Sequence, residues 1–338
     1  MSTKSMSRYP VFHKSLMIKE LYPEAKHKIQ FTETRSSWLY KTGETIYKIK
    51  KTSPEYANTA VKEAYCREEF RLGKIFDPEL YLEVIPICQN GEEYNYGTSG
   101  QVVEYALKTV ELNERYLMGT LLEKKKITPT YISRIAKKLA ITHGQCAVSE
   151  KEADVGRPEN FYNLFEETLY QLKRYMGSSV SQPLLDMLRH PVEKFITENR
   201  KLFMKRIKKG RILHGHGAFI PEHIYIRGQD IHFLSPQEIN RKVCSLDAAN
   251  DVASLSVELV QKGESALSEI LIKRYIAQAK DREMLKMLPA YQSLIALRRG
   301  LDLHETPAES EAVHAELNRL ATSYFNLAVQ FARTIKFE

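Results

Sequence analysis

The chain has 338 residues, of which 43% are hydrophobic and 27% are charged, with 15 glycines and 13 prolines. This composition is that of a globular protein and excludes collagen-like, low-complexity and intrinsically disordered chains. The formal net charge of +8 would suit an acidic partner. However, the basic residues occur in short groups beside acidic stretches, as in Lys124–Lys126 and Lys205–Lys209, which favours a solvated mixed surface.

The four cysteines lie far apart in the sequence, at positions 66, 88, 146 and 244, and no CxxC pair occurs. This spacing predicts neither a disulfide framework nor a cysteine-ligated zinc site, and it fits a reducing compartment. The sequence lacks the basic start and apolar run of a signal peptide, and it has no run of about 18 apolar residues. We therefore expect a cytoplasmic protein without a membrane span.

Short alternating segments before residue 115 predict a small β-sheet with one helix. The expected strands are Trp38–Thr42 and Thr45–Lys50 around a turn at Gly43, Tyr81–Ile87 before an Asn90-Gly91 turn, and Gln101–Leu107. Between the second and third strands, Ser53-Pro54 is a helix-start signal. The expected helix carries apolar residues at helical spacing, namely Val61, Tyr65, Leu72 and Phe76.

Beyond residue 115 the pattern is mostly helical. The expected helices span 129–147, 159–176, 182–208, 246–262, 265–298 with a break near Pro289, and 309–334. Apolar side chains recur every three or four residues in these segments, which is typical of core-facing helices. The exception is Arg211–Ser235, which predicts a loop and then a hairpin turned at Arg227-Gly228.

This order of elements predicts an α+β chain with two lobes. We expect an N-terminal extension at 1–19, a small β-rich N-lobe at 20–112 and a large helical C-lobe at 113–338. The C-lobe would contain a loop at 214–224 and a hairpin at 224–235. A small sheet with one helix, followed by a helical lobe that a loop and hairpin interrupt, is the order of a protein-kinase-like fold.

Six segments carry a resemblance to a known family. They are TETRSSWLY at 32–40, IYKIKK at 46–51, CREEFRLGKIFDPELYLEVIPI at 66–87, EYALK at 104–108, HGAFIPEHI at 216–224 and FLSPQEINRKVCSLDAANDVASL at 233–255. The chain resembles the aminoglycoside-phosphotransferase-like kinases, in particular a bacterial gluconate-kinase-like branch whose catalytic segment is HGDLHPENI. The resemblance runs from about residue 20 to about residue 300, and it implies the bilobal protein-kinase-like fold.

Several residues of the family pattern are retained. Lys48 matches the strand lysine that holds the α- and β-phosphates of the nucleotide in such kinases. Glu69 continues the apolar stripe of the expected helix, and a carboxylate on that face needs a cationic partner. We therefore expect Lys48 to pair with Glu69, with Glu68 as the alternative. The resemblance also matches Asp247 and Asp251 to a DxxxD pattern that braces the helix beneath the active site.

Three positions that carry the chemistry in the family are altered. Ala218 stands where the family has the Asp that orients the acceptor proton, His223 replaces an Asn that helps to hold magnesium, and Ser235 replaces the metal-binding Asp. A methyl group accepts no proton, and a hydroxyl or an imidazole is a poor substitute for carboxylate oxygen around Mg²⁺. The changes extend to Ile220 and Cys244, where the family has a His and an Arg.

These losses predict a pseudokinase, a regulatory or scaffolding binding module that requires no cofactor. Lys48 and Glu69 remain as its candidate nucleotide-binding residues. Weak binding of ATP or ADP without Mg²⁺, and no nucleotide binding at all, both stay open.

The histidines of the same loop leave a second hypothesis open. His214, His216 and His223 would bind Zn²⁺ and activate water in a metal-dependent enzyme, or serve a small-molecule phosphotransferase with a repurposed loop. Glu222 is the only carboxylate that the spacing fixes nearby. The resemblance gives structural roles to His216 and to the helix residue His143. The pattern therefore favours structural histidines and no metal site.

A third hypothesis, nucleic-acid binding, rests on the net charge and on the segment KRIKKGR at 205–211. That segment ends an expected helix, where cations interact favourably with the helix dipole. No aromatic-interleaved strand and no zinc-finger spacing accompany it. We expect a protein partner rather than nucleic acid, and the sequence does not identify that partner.

Overall fold

The computed structural model describes residues 9–34, 36–51, 58–234 and 245–337. In chain order its elements are α1 (His13–Leu16), β1 (Gln30–Glu33), β2 (Ser37–Lys41), β3 (Thr45–Lys50), α2 (Thr59–Phe76), β4 (Tyr81–Asn90), β5 (Glu93–Tyr96), β6 (Gln101–Val110), α3 (Met118–Glu123), α4 (Pro129–His143), α5 (Glu150–Ala153), α6 (Pro158–Leu172), α7 (Gln182–Glu198), α8 (Arg200–Lys208), β7 (Ile212–His214), β8 (Ile224–Arg227), β9 (Asp230–Phe233), β10 (Ser245–Asp247), α9 (Ala248–Gln261), α10 (Ser265–Ala279), α11 (Met284–Glu305) and α12 (Glu311–Arg333).

The described residues form two compact units, one of residues 9–117 and 225–234, the other of residues 118–224 and 245–337. The first unit is rich in β-structure and the second is mostly helical, which confirms the predicted α+β class. The first unit ends five residues later than the predicted boundary at 112, and it includes the β8–β9 hairpin that the sequence placed in the C-lobe. The reason is that His232 and the Phe233 N–H both hydrogen bond to Asp77, at the end of α2.

The first unit is built on a six-stranded antiparallel sheet with the order β1-β2-β3-β6-β4-β5. Gly43, with a φ of 92°, makes the predicted turn between β2 and β3. Sequence analysis missed the two edge strands, β1 and β5, because neither has a buried face that would show as apolar alternation. The predicted helix start at Ser53-Pro54 lies outside the described residues, and α2 is described from Thr59 onward.

An aromatic core covers one face of this sheet. Tyr40 and Tyr47 are buried there beside Phe12 and Leu16, which the sequence placed in a separate N-terminal extension. Residues 9–19 therefore belong to the first unit, while residues 1–8 of that expected extension lie outside the described residues. Trp38, the single tryptophan of the chain, packs edge-on against Phe12 with ring centroids 5.8 Å apart.

The second unit is organised around helix α9, which is buried along most of its length. Its neighbours α10 and α11 pack against it, and α11 packs in turn along α12. The apolar spacing in the sequence predicted this helical core. No helix among the described residues combines the length and the apolar content needed to cross a membrane.

Two predicted helices are divided differently in the structure. The expected helix 182–208 is two helices, α7 and α8, separated at Asn199. The break expected near Pro289 occurs instead at 280–283, because Lys280 adopts a left-handed conformation with a φ of 52° that ends α10. Pro289 lies inside α11, in its second turn, where its missing N–H removes one helical hydrogen bond without ending the helix.

A buried arginine joins three elements of the second unit. Arg206 of α8 is 0% exposed, and its guanidinium donates two hydrogen bonds of 2.6 Å to Asp247 and bonds of 2.9 and 3.0 Å to Asp281. Asp247 also caps α9 by accepting the Ala249 N–H at 2.8 Å. The expectation of a solvated basic group at Lys205–Lys209 is therefore wrong at Arg206, which lies one helical turn after the buried Phe203.

Replacing this arginine should destabilise the protein strongly. Arg206→Met leaves two buried carboxylates without their shared cation, and the loss of one partner of a buried ion pair costs about 3–5 kcal/mol. We expect a clearly lower urea midpoint in equilibrium unfolding. Lys208→Met, which alters an exposed residue of the same helix, should change the unfolding free energy by less than about 0.5 kcal/mol. Equal midpoints for the two variants would contradict this account of the second unit.

Candidate functional site

The candidate site in the first unit is an ion pair between β3 and α2. Tyr47 and Ile49 of β3 point into the aromatic core, so Lys48 between them faces the opposite side of the sheet. Its Nζ donates to Glu69 Oε1 at 2.6 Å, and the two side chains are only 12% and 4% exposed. The predicted pairing is present. The alternative residue, Glu68, forms an ion pair with the half-exposed Arg71 instead.

A second lysine, which the sequence analysis did not single out, joins this pair. Lys50 is buried, and its Nζ lies 3.8 Å from the other carboxylate oxygen of Glu69. The sequence does indicate this position for Lys50, because residues two apart on a strand share a face and Lys50 follows Lys48 by two. One helical turn before Glu69, burial raises the pKa of the Cys66 thiol to about 12, so that thiol is neutral and unreactive near pH 7. The carboxylate of Glu69 therefore lies between two ammonium groups in a largely dry environment.

The candidate site in the second unit is the loop that follows β7. Gly215 is required there by close packing, because a Cβ at this position would lie 2.3 Å from Leu246 Cδ1 and 2.8 Å from Asp251 Oδ2. Gly217 is required by its backbone, which has a φ of 76°. These two glycines allow the loop to run directly over the start of α9.

The Asp251 carboxylate fixes the backbone of this loop. It is 0% exposed and accepts the N–H of His216 at 2.6 Å and the N–H of Gly217 at 2.9 Å. His143 Nε2 lies 3.1 Å from the same carboxylate, and His143 Nδ1 lies 2.7 Å from the Tyr275 hydroxyl. Burial opposes ionisation, but the hydrogen bond from His143 and the other polar contacts hold the pKa of Asp251 below its usual value. Asp251 thus braces the loop, and His143 has a structural place in the network.

Two of the three positions that the resemblance matches to catalytic residues, 218 and 223, lie together at the end of the loop. His223, in a short 3-10 turn at Pro221–His223, places Nδ1 2.8 Å from the carbonyl oxygen of Ala218. Since a carbonyl only accepts, Nδ1 carries the proton and donates it. The side chain at position 223 therefore bonds to the backbone of position 218. Ser235 and Cys244, the other altered positions, lie outside the described residues.

The loop histidines are not gathered as metal ligands. His214 Nε2 lies 3.8 Å from Glu152 Oε1. The His216 ring packs against the rings of Phe219 and His223, and the ring centroids are 5.4 Å apart in each pair. Across the described ranges, three potential ligand atoms converge within 4.8 Å at one place, and it is a different one. That group consists of Asp77, Glu79 and His232, all in the first unit. Sequence analysis did not find this group, because Asp77 and His232 are 155 residues apart.

Comparison of the sequence with known proteins finds distant relatives. No protein-family model matches the sequence. The curated relatives include "Uncharacterized protein Rv2004c" of Mycobacterium tuberculosis and "Uncharacterized protein Mb2027c" of Mycobacterium bovis, each 21% identical over 257 residues. The match covers 75% of this chain and 50% of each relative, so the chain spans about half the length of the curated relatives it matches.

Solved structures that resemble this chain include kinases and a phosphotransferase. A choline/ethanolamine kinase family protein from Mesorhizobium loti has a TM-score of 0.53 at 12% identity, covering 92% of this chain and 94% of its own. The GDP complex of aminoglycoside 2'-phosphotransferase-IIIa has a TM-score of 0.53 at 11% identity, covering 94% and 99%. Choline kinase from Cryptosporidium parvum Iowa II has a TM-score of 0.51 at 10% identity, covering 90% and 89%. The chain therefore has the protein-kinase-like fold of the aminoglycoside phosphotransferases and choline kinases.

The two neighbouring glutamates of α2 provide a matched test of the site in the first unit. Glu69→Gln removes the buried anion that lies between Lys48 and Lys50, so it should lower the unfolding free energy by about 3 kcal/mol or more. Glu68→Gln removes a charge whose ion-pair partner, Arg71, is half exposed, and it should lower the unfolding free energy by less, by about 1 kcal/mol. Both are measured by urea denaturation at pH 7. A smaller effect at Glu69 than at Glu68 would contradict the assigned pairing.

Proposed function

We propose that this chain is a catalytically inactive kinase-like protein, which acts by binding a partner rather than by transferring phosphate. The observation that carries the proposal is the hydrogen bond between His223 and the Ala218 carbonyl. The loop that bears these residues keeps the backbone support of Asp251, so its shape is retained while its proton acceptor is replaced by a methyl group. Fold alone does not establish activity, and the residues of the site favour an inactive protein.

The residues at the two positions that bind magnesium in the resembled family support the same proposal. In the resembled family, the residue at position 223 helps to hold magnesium, whereas this imidazole bonds to backbone and is a poor ligand for that hard cation. The second metal ligand of the family corresponds to Ser235 in the sequence, and a neutral hydroxyl is a weak replacement for a carboxylate. Phosphoryl transfer depends on metal ions that neutralise the developing charge, so losing both ligands disfavours the reaction.

The retained lysine supports weak nucleotide binding without magnesium. Lys48 is already ordered by Glu69, as the strand lysine of an active kinase-like site is. With no carboxylate to hold a bridging metal, the phosphates of ATP or ADP would be met by this lysine and by backbone N–H groups. Affinity should therefore be low and independent of Mg²⁺.

The competing candidate is a small-molecule phosphotransferase with a rebuilt loop. It is favoured by the structural neighbours, whose titles name choline, ethanolamine and aminoglycoside as the substrate classes of those proteins. In this chain such an activity would need a proton acceptor other than residue 218. The two candidates differ in one measurable property, which is turnover of ATP.

The first test is therefore phosphotransfer. Purified protein with Mg²⁺ or Mn²⁺ should neither hydrolyse ATP nor label itself, because the acceptor-orienting carboxylate and the metal ligands are missing. The readouts are phosphate release and transfer of labelled γ-phosphate, with choline, ethanolamine and an aminoglycoside supplied as acceptors. Turnover that disappears in Lys48→Ala but persists in Lys51→Ala would overturn the proposal in favour of the phosphotransferase.

The second test is nucleotide binding, which is measured as a change in the melting temperature during thermal denaturation. A nucleotide at about 100 times its dissociation constant stabilises the folded state by roughly 2.7 kcal/mol. We expect millimolar ATP or ADP to raise the melting temperature slightly and equally with Mg²⁺ or EDTA. Lys48→Ala should abolish the shift, and Lys51→Ala, three residues later and paired with Glu33, should retain it. A large stabilisation that requires Mg²⁺ would show that another residue supplies the metal ligand.

A further inference from the structure

The end of helix α2 and strand β9 bring together three side chains that the proposed function does not use. Asp77 is the C-cap residue of α2, Glu79 follows two residues later, and His232 comes from β9. One ligand atom from each residue lies within 4.8 Å of the other two. All three residues belong to the first unit.

Two of these ligands are already held in place. Asp77 is 1% exposed, and both of its carboxylate oxygens lie close to His232 Nδ1, at 3.0 and 3.1 Å. The Phe233 N–H donates to the same carboxylate at 3.3 Å. The Asp77 backbone is fixed too, since its N–H donates to the Gly73 carbonyl at 2.7 Å. The aspartate and the imidazole therefore require little reorganisation to act together.

Their separation suits a shared cation. A tetrahedral ion with ligand bonds of about 2.0–2.2 Å places neighbouring ligand atoms roughly 3.4 Å apart. The 3.0–3.1 Å between the Asp77 oxygens and His232 Nδ1 would need to open by only a few tenths of an ångström. The cation takes the place of the proton on Nδ1, and that proton is carried by Nε2 in the other neutral tautomer of the imidazole.

Glu79 supplies a third ligand and completes the charge balance. Its side chain is exposed and has no hydrogen bond or ion pair with any described residue, so no existing contact is lost when it turns toward a cation. Two carboxylates and a neutral imidazole carry a charge of −2, which a divalent cation neutralises. The nearby competitor is Lys74, but its ammonium donates to the Pro78 carbonyl at 2.7 Å and lies 5.5 Å from the Phe70 ring centroid.

The ligand set selects the class of ion. One nitrogen and two carboxylates are too few oxygen ligands for Ca²⁺, and Mg²⁺ prefers an octahedral shell of oxygen. Borderline ions such as Zn²⁺ or Co²⁺ accept this combination and keep a fourth position for water. We infer that Asp77, Glu79 and His232 form a binding site for a divalent transition-metal ion, with Zn²⁺ as its probe. The bound ion would join the end of α2, the helix that carries Glu69, to the β8–β9 hairpin.

The test is metal binding by the full chain after dialysis against EDTA. Titration with Zn²⁺ followed by calorimetry should show one equivalent bound, and Co²⁺ should give the visible absorption bands of a tetrahedral site. Because Asp77 is buried, its substitution risks misfolding, so the decisive variants are Glu79→Gln, at an exposed residue, and His232→Ala, at a partly buried residue whose folding is checked by circular dichroism. Each should weaken binding by about 10-fold or more, the scale seen when supporting groups of metal ligands are removed.

Control variants distinguish this site from non-specific binding of Zn²⁺ by other histidines. His27→Ala and Glu83→Gln change exposed residues of the same unit and should leave the titration unchanged. His216→Ala tests the loop that sequence analysis considered. Loss of Zn²⁺ in His216→Ala with retention in His232→Ala, or absence of any stoichiometric Zn²⁺ in the native chain, would overturn the inference. Neither result bears on phosphotransfer, so this site and the proposed function fail or stand separately.

Discussion

The buried carboxylate of Asp251 is the constraint on which the candidate site of the second unit depends. A charged group that is 0% exposed must be satisfied by hydrogen bonds, and here they come from two successive loop N–H groups and from His143. The loop cannot move away without leaving this charge uncompensated. One helical turn earlier, the buried Asp247 carboxylate accepts two hydrogen bonds from the Arg206 guanidinium. The start of α9 thus fixes both the loop and the packing of α8.

The shape of this loop is supported through its backbone. Asp251 accepts from backbone N–H groups of the loop, so this part of its support does not depend on the side chains at positions 218 and 223. The buried ion pair of Lys48 and Glu69, which Lys50 joins, differs, because buried ion pairs can often be replaced as a whole by apolar residues at little cost in stability. Stability alone therefore does not account for the presence of this ion pair.

The sequence predicted what depends on local pattern and missed what depends on distant contacts. Strand β3 was predicted with its observed bounds, Thr45–Lys50, because a glycine turn and apolar alternation mark it clearly. Pairing of Lys48 with Glu69 followed from a carboxylate on an apolar helix face. In contrast, the helix break at Lys280 follows from a backbone conformation that a lysine rarely adopts, while the nearby proline was the stronger local signal. Burial of Arg206 depends on Asp281, 75 residues later, which no local pattern reveals.

The position of Trp38 gives the two units separate spectroscopic signatures. The single indole of the chain lies on β2 beside Phe12, so tryptophan emission reports on the environment of the first unit alone. Far-ultraviolet circular dichroism is dominated by the long helices, most of which belong to the second unit. Comparing these two signals during denaturation distinguishes cooperative unfolding of the whole chain from stepwise loss of its parts, without any label or truncation.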